Sequence, residues 1–253
     1  MRRTRNLPQK CMLPILLLMG LVGQDAALAA SDDIPNLTGT WLYGRCEDGS
    51  GTGCYLLAFD DEKLTQRAKA FRDAFDEVAQ PKFDCAPMSI PHIWTDPYGH
   101  EIQQQEDRVT LIYEKDDVVR TVWLDGHGHQ RPALNQFFYH GYSTGHYEGD
   151  TLVVETTRFS FDPMGLNSDF RIPSSSQKRV TERYTRDGET LILEVTTEDT
   201  FFLEQPWTYK VRSQPSPDPL ALPWGCDLES SRQILQVTPT IYPEDPPIVR
   251  IEE

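Results

Sequence analysis

Apolar and polar residues alternate with a period of two through most of the chain beyond residue 100, and each alternating run stops at a turn-forming pair. In segment 141–159, GYSTGHYEGDTLVVETTRF, the pair Gly149-Asp150 separates two such runs. As a two-residue turn it puts Tyr147 opposite Leu152 and Gly145 opposite Val154 on one apolar face, with His146 and Val153 on the other. Segments 108–115 and 118–125 are joined by Asp116-Asp117, and 177–186 and 189–199 by Asp187-Gly188. Residues 37–43 and 207–212 read as further strands. A helical period occurs once, over 60–80, where Leu64, Ala68, Phe71, Phe75 and Val78 share a face and Asp60 or Asp61 is placed to cap it. The Pro-rich segment 81–98 reads as a strap over one end of the fold, and 161–176, with Ser174-Ser175-Ser176, as a loop. Segment 215–223 reads as a linker. Many short strands and one helix predict an all-β, mainly antiparallel fold. The expected form is a lipocalin-like barrel or curled sheet with one N-terminal helix packed on it.

The hairpin registers single out a few polar residues. A turn at Asp187-Gly188 sets Tyr184 opposite Leu191, Glu182 opposite Leu193 and Val180 opposite Val195. A turn at Asp116-Asp117 sets Tyr113 opposite Arg120, Leu111 opposite Val122 and Val109 opposite Leu124. Each face is apolar except for one charge, Glu182 or Arg120, and one phenol, Tyr184 or Tyr113. A buried charge needs a partner, so Arg120 and Glu182 are expected to pair inside the barrel. Such a pair either fixes the sheet or serves a ligand, and a slipped register would instead place both in solvent. In the functional reading Arg120, Tyr113, Tyr184 and Tyr147 bind a ligand, and Glu182 is a catalytic carboxylate.

Residues 1–30 read as an export signal, with a basic start at Arg2, Arg3, Arg5 and Lys10, an apolar core over 12–22 and a small-x-small site at Ala27-Leu28-Ala29. The remainder reads as a single β-rich domain over 31–238 and a Pro-rich acidic tail over 239–253. Without the leader the chain has 20 basic and 38 acidic residues, a formal charge of −18. That balance excludes a nucleic-acid partner, which needs a basic footprint. No other stretch is apolar enough for membrane insertion after cleavage. Cys46, Cys54, Cys85 and Cys226 remain, and in an oxidising compartment four cysteines suggest two disulfides in one of three pairings. A Cys46–Cys54 bridge closes easily around EDGSGTG and would leave Cys85 with Cys226.

The signature stretch resembles that of a large family of exported bacterial proteins with no assigned activity, written GHSxGxWEGDTLVV. The likeness extends to Leu37-Thr38-Gly39-Thr40-Trp41, Cys85-Ala86-Pro87, Glu101-Ile102, 120–126 with His129, Glu182-Arg183-Tyr184, Pro206-Trp207 and Cys226. It implies fold and export. This chain departs from the pattern at three places: Tyr142 replaces the signature His, Tyr147 the Trp, and Leu166-Asn167-Ser168 a downstream Pro-His-Ser. His129 matches the family pattern and is the candidate for a functional histidine, a second acid/base beside Glu182. His127 and His129 have a spacing that metal sites use, but no third ligand is fixed by spacing, and the reading assigns no metal and no cofactor. There is no nucleophile elbow, phosphate loop, dinucleotide fingerprint or zinc-protease motif. The expected protein is periplasmic or secreted and binds a small hydrophobic molecule in a barrel pocket. A small-molecule enzyme on the same scaffold and an envelope interaction protein are the alternatives.

Overall fold

The computed structural model describes residues 34–46, 60–125 and 131–241. The expected leader, Cys54, His127 and His129 lie outside them. Twelve strands are described. They are β1 (Gly39–Trp41), β2 (Arg45–Cys46), β3 (His100–Gln104), β4 (Arg108–Tyr113), β5 (Val119–Leu124) and β6 (Tyr142–Glu148), followed by β7 (Thr151–Thr157), β8 (Asp162–Asn167), β9 (Ile172–Ser174), β10 (Arg179–Asp187), β11 (Thr190–Glu198) and β12 (Trp207–Ser213). Ten form one sheet in the order β1-β3-β4-β5-β6-β7-β10-β11-β12-β2, antiparallel throughout except for β5 and β6. The expected all-β, mainly antiparallel class therefore holds.

The first strand joins the two ends of this sheet. β1 pairs with β3 on one side, while Leu42 N–H donates to Gln214 O at 2.8 Å, Ser216 N–H donates to Thr40 O at 2.8 Å, and β2 pairs with β12 on the other. The sheet thus curls back on itself, which leaves few unpaired backbone groups at its edges.

The turns explain both the agreements and the corrections in register. Gly149 has a left-handed φ of +59°, and the expected pairing of Tyr147 with Leu152 and Gly145 with Val154 is present. In the β10–β11 hairpin the turn is Gly188-Glu189 rather than Asp187-Gly188, because Gly188 supplies the left-handed φ at the first turn position. Tyr184 therefore faces Leu193, and Glu182 faces Val195. Between β4 and β5 the loop is longer than two residues, because Asp116 and Asp117 both adopt left-handed φ and a 3-10 turn spans Lys115–Asp117. Leu111 faces Arg120 and Val109 faces Val122. Both corrections move the register by two residues. An even shift leaves every side chain on its expected face.

The expected helix over 60–80 is three short pieces, because three side chains cap separate starts: Asp60, Thr65 and Asp76. Only α1 (Gln66–Ala74) is α-helical; it packs on β9, with Leu64 and Ala68 buried and Phe71 half-buried against Phe161 and Phe202. The expected loop 161–176 contains the hairpin β8–β9. Pro163 and Gly165 disguise it in sequence, and its ladder is irregular. A second helix, α2 (Leu228–Ile241), begins where Asp227 accepts from Ser230 N–H at 2.8 Å and continues past residue 239, the expected start of a loose tail. The disulfide Cys85–Cys226, with Cα atoms 5.9 Å apart, ties the start of this helix to the strap. Cys46 is also disulfide-bonded.

Candidate functional site

Arg120 and Glu182 meet inside the curled sheet. Arg120 Nη2 is 2.7 Å from Glu182 Oε2 and Nη1 is 3.0 Å from Oε1, a two-pronged pair with side chains 2% and 0% exposed. The strands surround it with further partners. Arg120 donates to the Tyr113 hydroxyl at 2.9 Å, to Ser143 Oγ at 3.1 Å and to Thr156 Oγ1 at 3.0 Å, and the Tyr184 hydroxyl donates to Glu182 at 2.9 Å. The fourth donor to Glu182 comes from the strap, as Trp94 Nε1–H reaches Oε1 at 2.6 Å. The Trp94 ring packs edge-on against His100, Tyr113 and Tyr184 at 4.4, 4.9 and 5.5 Å.

Burial penalises the charge of Arg120, but Glu182 together with Tyr113 and Tyr184 offsets that penalty and holds its pKa well above the ordinary value. Burial pushes the Tyr113 and Tyr184 phenols upward, so both stay protonated. Burial also lowers His100 to about 3, so that ring is neutral. Four of the predicted site residues therefore sit together: Arg120, Glu182, Tyr113 and Tyr184. Tyr147 is apart from them, accepting at its hydroxyl from Gln104 Nε2 at 2.9 Å. Trp94, Ser143 and Thr156 complete the cluster and were not singled out by sequence reasoning. Ser143 is the serine of the signature stretch, and its role here is to hold the guanidinium. Gly145 of the same stretch has a steric reason: a Cβ there would lie 2.8 Å from Val122 Cγ1 across the parallel β5–β6 pair.

Arg120 and Ser143 of this network also line a small hollow of about 200 Å³ together with Phe138, His140 and Tyr142, and the larger open space lies at the strap. A cleft of about 560 Å³ runs between the strap, the β8–β9 hairpin, the β4–β5 turn and the start of α2. Phe83, Pro87, Met88, Tyr98, Met164 and Trp224 give it apolar and aromatic walls. Tyr98 and Trp224 meet edge-on at 4.5 Å, and Lys115 Nζ lies 4.6 Å above the Trp224 ring.

Polar groups converge on this cleft. Asp162 is 1% exposed; its Oδ1 accepts from Met164 N–H at 2.9 Å, while Oδ2 is buried with no hydrogen-bond partner among the described residues. Asp96 Oδ2 is in the same condition, and burial raises the Asp96 pKa. Tyr139 also lines the cleft, with its phenol pushed upward by burial, then by the negative charge of Asp162 and by a side-chain hydrogen bond to that carboxylate. Behind the wall, Lys178 is 1% exposed, and its Nζ donates to Ile90 O at 2.7 Å, Gly165 O at 3.0 Å and Ser89 Oγ at 3.2 Å. Sequence reasoning overlooked Lys178, although its alternation with Val180, Glu182 and Tyr184 places it on the same inward face. Asp162, Asp96 and Ser89 carried no sequence signal, because irregular segments hold them. Among the described residues no group of three or more His, Cys, Asp or Glu is placed to hold a metal ion.

No family model matches the chain, and no curated protein does. Among solved structures, crystal structures of the fluorescent protein UnaG match. The wild type is 14% identical, covering 71% of this chain and 96% of that one with a TM-score of 0.29. Two single-site variants are 14% and 13% identical, covering 72% of this chain and 97% of theirs with TM-scores of 0.30 and 0.31.

Proposed function

We propose that the protein binds a small molecule with an apolar body and a hydrogen-bond donor in the cleft outside the strap. The carrying observation is a pair of carboxylates in the cleft wall, Asp162 and Asp96, each with a buried Oδ2 that has no hydrogen-bond partner among the described residues, the Tyr139 phenol being the one group that reaches the Asp162 carboxylate from the cleft. An unpaired buried acceptor costs about 1–3 kcal/mol, more for a charged group, and a ligand hydroxyl or amine would offset that cost. The volume suits a drug-sized ligand, and the aromatic walls suit its apolar part. The barrel interior, the site favoured by the sequence, supports this reading less well. Glu182 already has donors on both oxygens, one of them the Trp94 indole N–H of the strap.

The Arg120–Glu182 pair is assigned the role of holding the strap and the sheet together, and the cleft that of binding. The Cys85–Cys226 disulfide and the composition of residues 1–30 support an exported protein acting in an oxidising compartment. The signature resemblance supports the same assignment. No helix among the described residues is long and apolar enough to cross a membrane.

The test is a ligand-observed NMR screen of small aromatic compounds in matched pairs, with and without a hydroxyl or amine. Donor-bearing members should bind and their partners should not, and Asp162→Asn should weaken the preference at least tenfold. Equal binding of both members, or an unchanged preference in Asp162→Asn, contradicts the proposal.

A further inference from the structure

Ser89 sits on the strap and lines the cleft, with its hydroxyl 3.2 Å from Lys178 Nζ. Lys178 is unlike an ordinary buried lysine. No carboxylate lies within ion-pair distance of it among the described residues, and its three neighbours are two carbonyl oxygens and one hydroxyl. That set fits a neutral amine as well as an ammonium. A neutral amine donates its two hydrogens to Ile90 O and Gly165 O, and its lone pair then faces Ser89. The hydroxyl, which as drawn donates weakly to Ile90 O at 3.3 Å, can turn to donate to Nζ.

From this geometry we infer that Ser89 is a nucleophile and Lys178 its general base, a serine–lysine pair for acyl transfer on an ester bound in the cleft. The inference rests on the cleft being the binding site. The groups facing Lys178 bear on its protonation as follows. Burial lowers its pKa to about 8, against the more distant carboxylates of Asp162 and Asp199, which raise it. The Phe159 ring, 4.2 Å from Nζ, also favours the cation. His140, whose pKa is lowered to about 4 first by burial and then by Arg120 and Lys178, is neutral. A base titrating near 8 is matched to work close to neutral pH.

In the reaction, Ser89 Oγ attacks the acyl carbon while its proton moves to the neutral Lys178 amine. The bond to the leaving alkoxide breaks, and the ammonium returns the proton to that oxygen. Water then attacks the acyl-serine while Lys178 takes its proton; the bond to Ser89 Oγ breaks, the ammonium passes the proton to that oxygen, and the carboxylic acid, the free serine and the neutral amine result. No oxidant or metal is needed.

A fluorophosphonate tests the pair, since it forms an Oγ–P bond to an activated serine with loss of fluoride. The full chain with its disulfides is incubated with the probe, and the label is located by peptide mass spectrometry. Label on Ser89, at a rate that rises with pH through about 8, is the expected result. Lys178→Arg keeps a cation beside the same acceptors but cannot give up its proton, so labelling should fall about 100-fold. Absence of label on Ser89, a rate independent of pH between 6.5 and 9, or undiminished labelling of a folded Lys178→Arg protein overturns the inference. Ser230→Trp separates this from the binding proposal, because Ser230 lines the cleft and is exposed. If the donor preference in the binding screen fails while Ser89 still labels in a Ser230-sensitive way, the ligand class is wrong and the pair stands. If the binding screen succeeds and Ser89 stays unlabelled, the pair is wrong and the binding site stands.

Discussion

Replacing Glu182 by Gln would keep the shape of the buried network and remove its negative charge. The consequence follows from the four donors around the carboxylate. Oε1 accepts from Arg120, Trp94 and Tyr184, and an amide oxygen in its place would still do so. Oε2 faces only Arg120 Nη2, at 2.7 Å, and an amide nitrogen there would confront one donor with another. The guanidinium, with its side chain 2% exposed, would then lack a counter-charge. Breaking a buried pair in this way costs about 3–5 kcal/mol, whereas replacing both partners by apolar groups is often close to neutral. Urea denaturation with the disulfides intact, followed by circular dichroism, should show Glu182→Gln destabilised by that amount. Arg120→Met should be destabilised comparably, and the double variant Arg120→Met/Glu182→Leu should recover at least about 2 kcal/mol of the summed losses. A Glu182→Gln protein within about 0.5 kcal/mol of the parent, or a double variant whose loss equals the sum of the singles, would refute the network as drawn.

Acid should destabilise the fold well before the carboxylates titrate. His100 and His140 are held neutral in the folded state, at about 3 and about 4, and take up protons on unfolding. Their contribution is therefore fully present above the ordinary histidine range near 6.5, and it is lost as pH falls through the window between 6.5 and their folded values. At pH 5 each should cost about 2 kcal/mol, and His100→Gln should flatten the stability profile between pH 7 and 5, as measured by urea midpoints. Lys178 acts in the alkaline range: its folded pKa of about 8 lies below its ordinary 10.5, so stability should rise between those two values, and this rise should vanish in Lys178→Met. The Cys85–Cys226 bridge closes a separation of 141 residues, and the Cys85→Ser/Cys226→Ser protein should lose up to about 5 kcal/mol. A loss below 1 kcal/mol in the same denaturation assay would mean that α2 and the strap stay docked without it.

The strands and the buried pair were legible because both depend on parity. The pairing register was misplaced in two hairpins, by two residues in each, so Arg120 and Glu182 still faced inward and toward each other. The same parity argument, extended one step before Val180, reaches Lys178, which was passed over because it stood at the assumed edge of the strand. What the sequence hid is held by irregular backbone. Trp94 reaches Glu182 from a 3-10 turn, which has no repeating pattern to read. Asp162 sits in a strand that contains Pro163 and Gly165. The cleft depends on four segments far apart in sequence, and only the fold brings Asp96, Asp162 and Ser89 together. The helix was overextended because its apolar spacing continues through residue 80, while Thr65 and Asp76 start new helical pieces within that span.

The most direct test of the binding site is native mass spectrometry of the full chain, secreted with its disulfides formed, beside its Ser230→Trp variant. The best ligand from the matched-pair screen is added to both. The account predicts one bound molecule on the parent, lost on denaturation, and none on the variant whose cleft is filled. Equal occupancy of the two proteins would place the ligand elsewhere and contradict the cleft as the binding site.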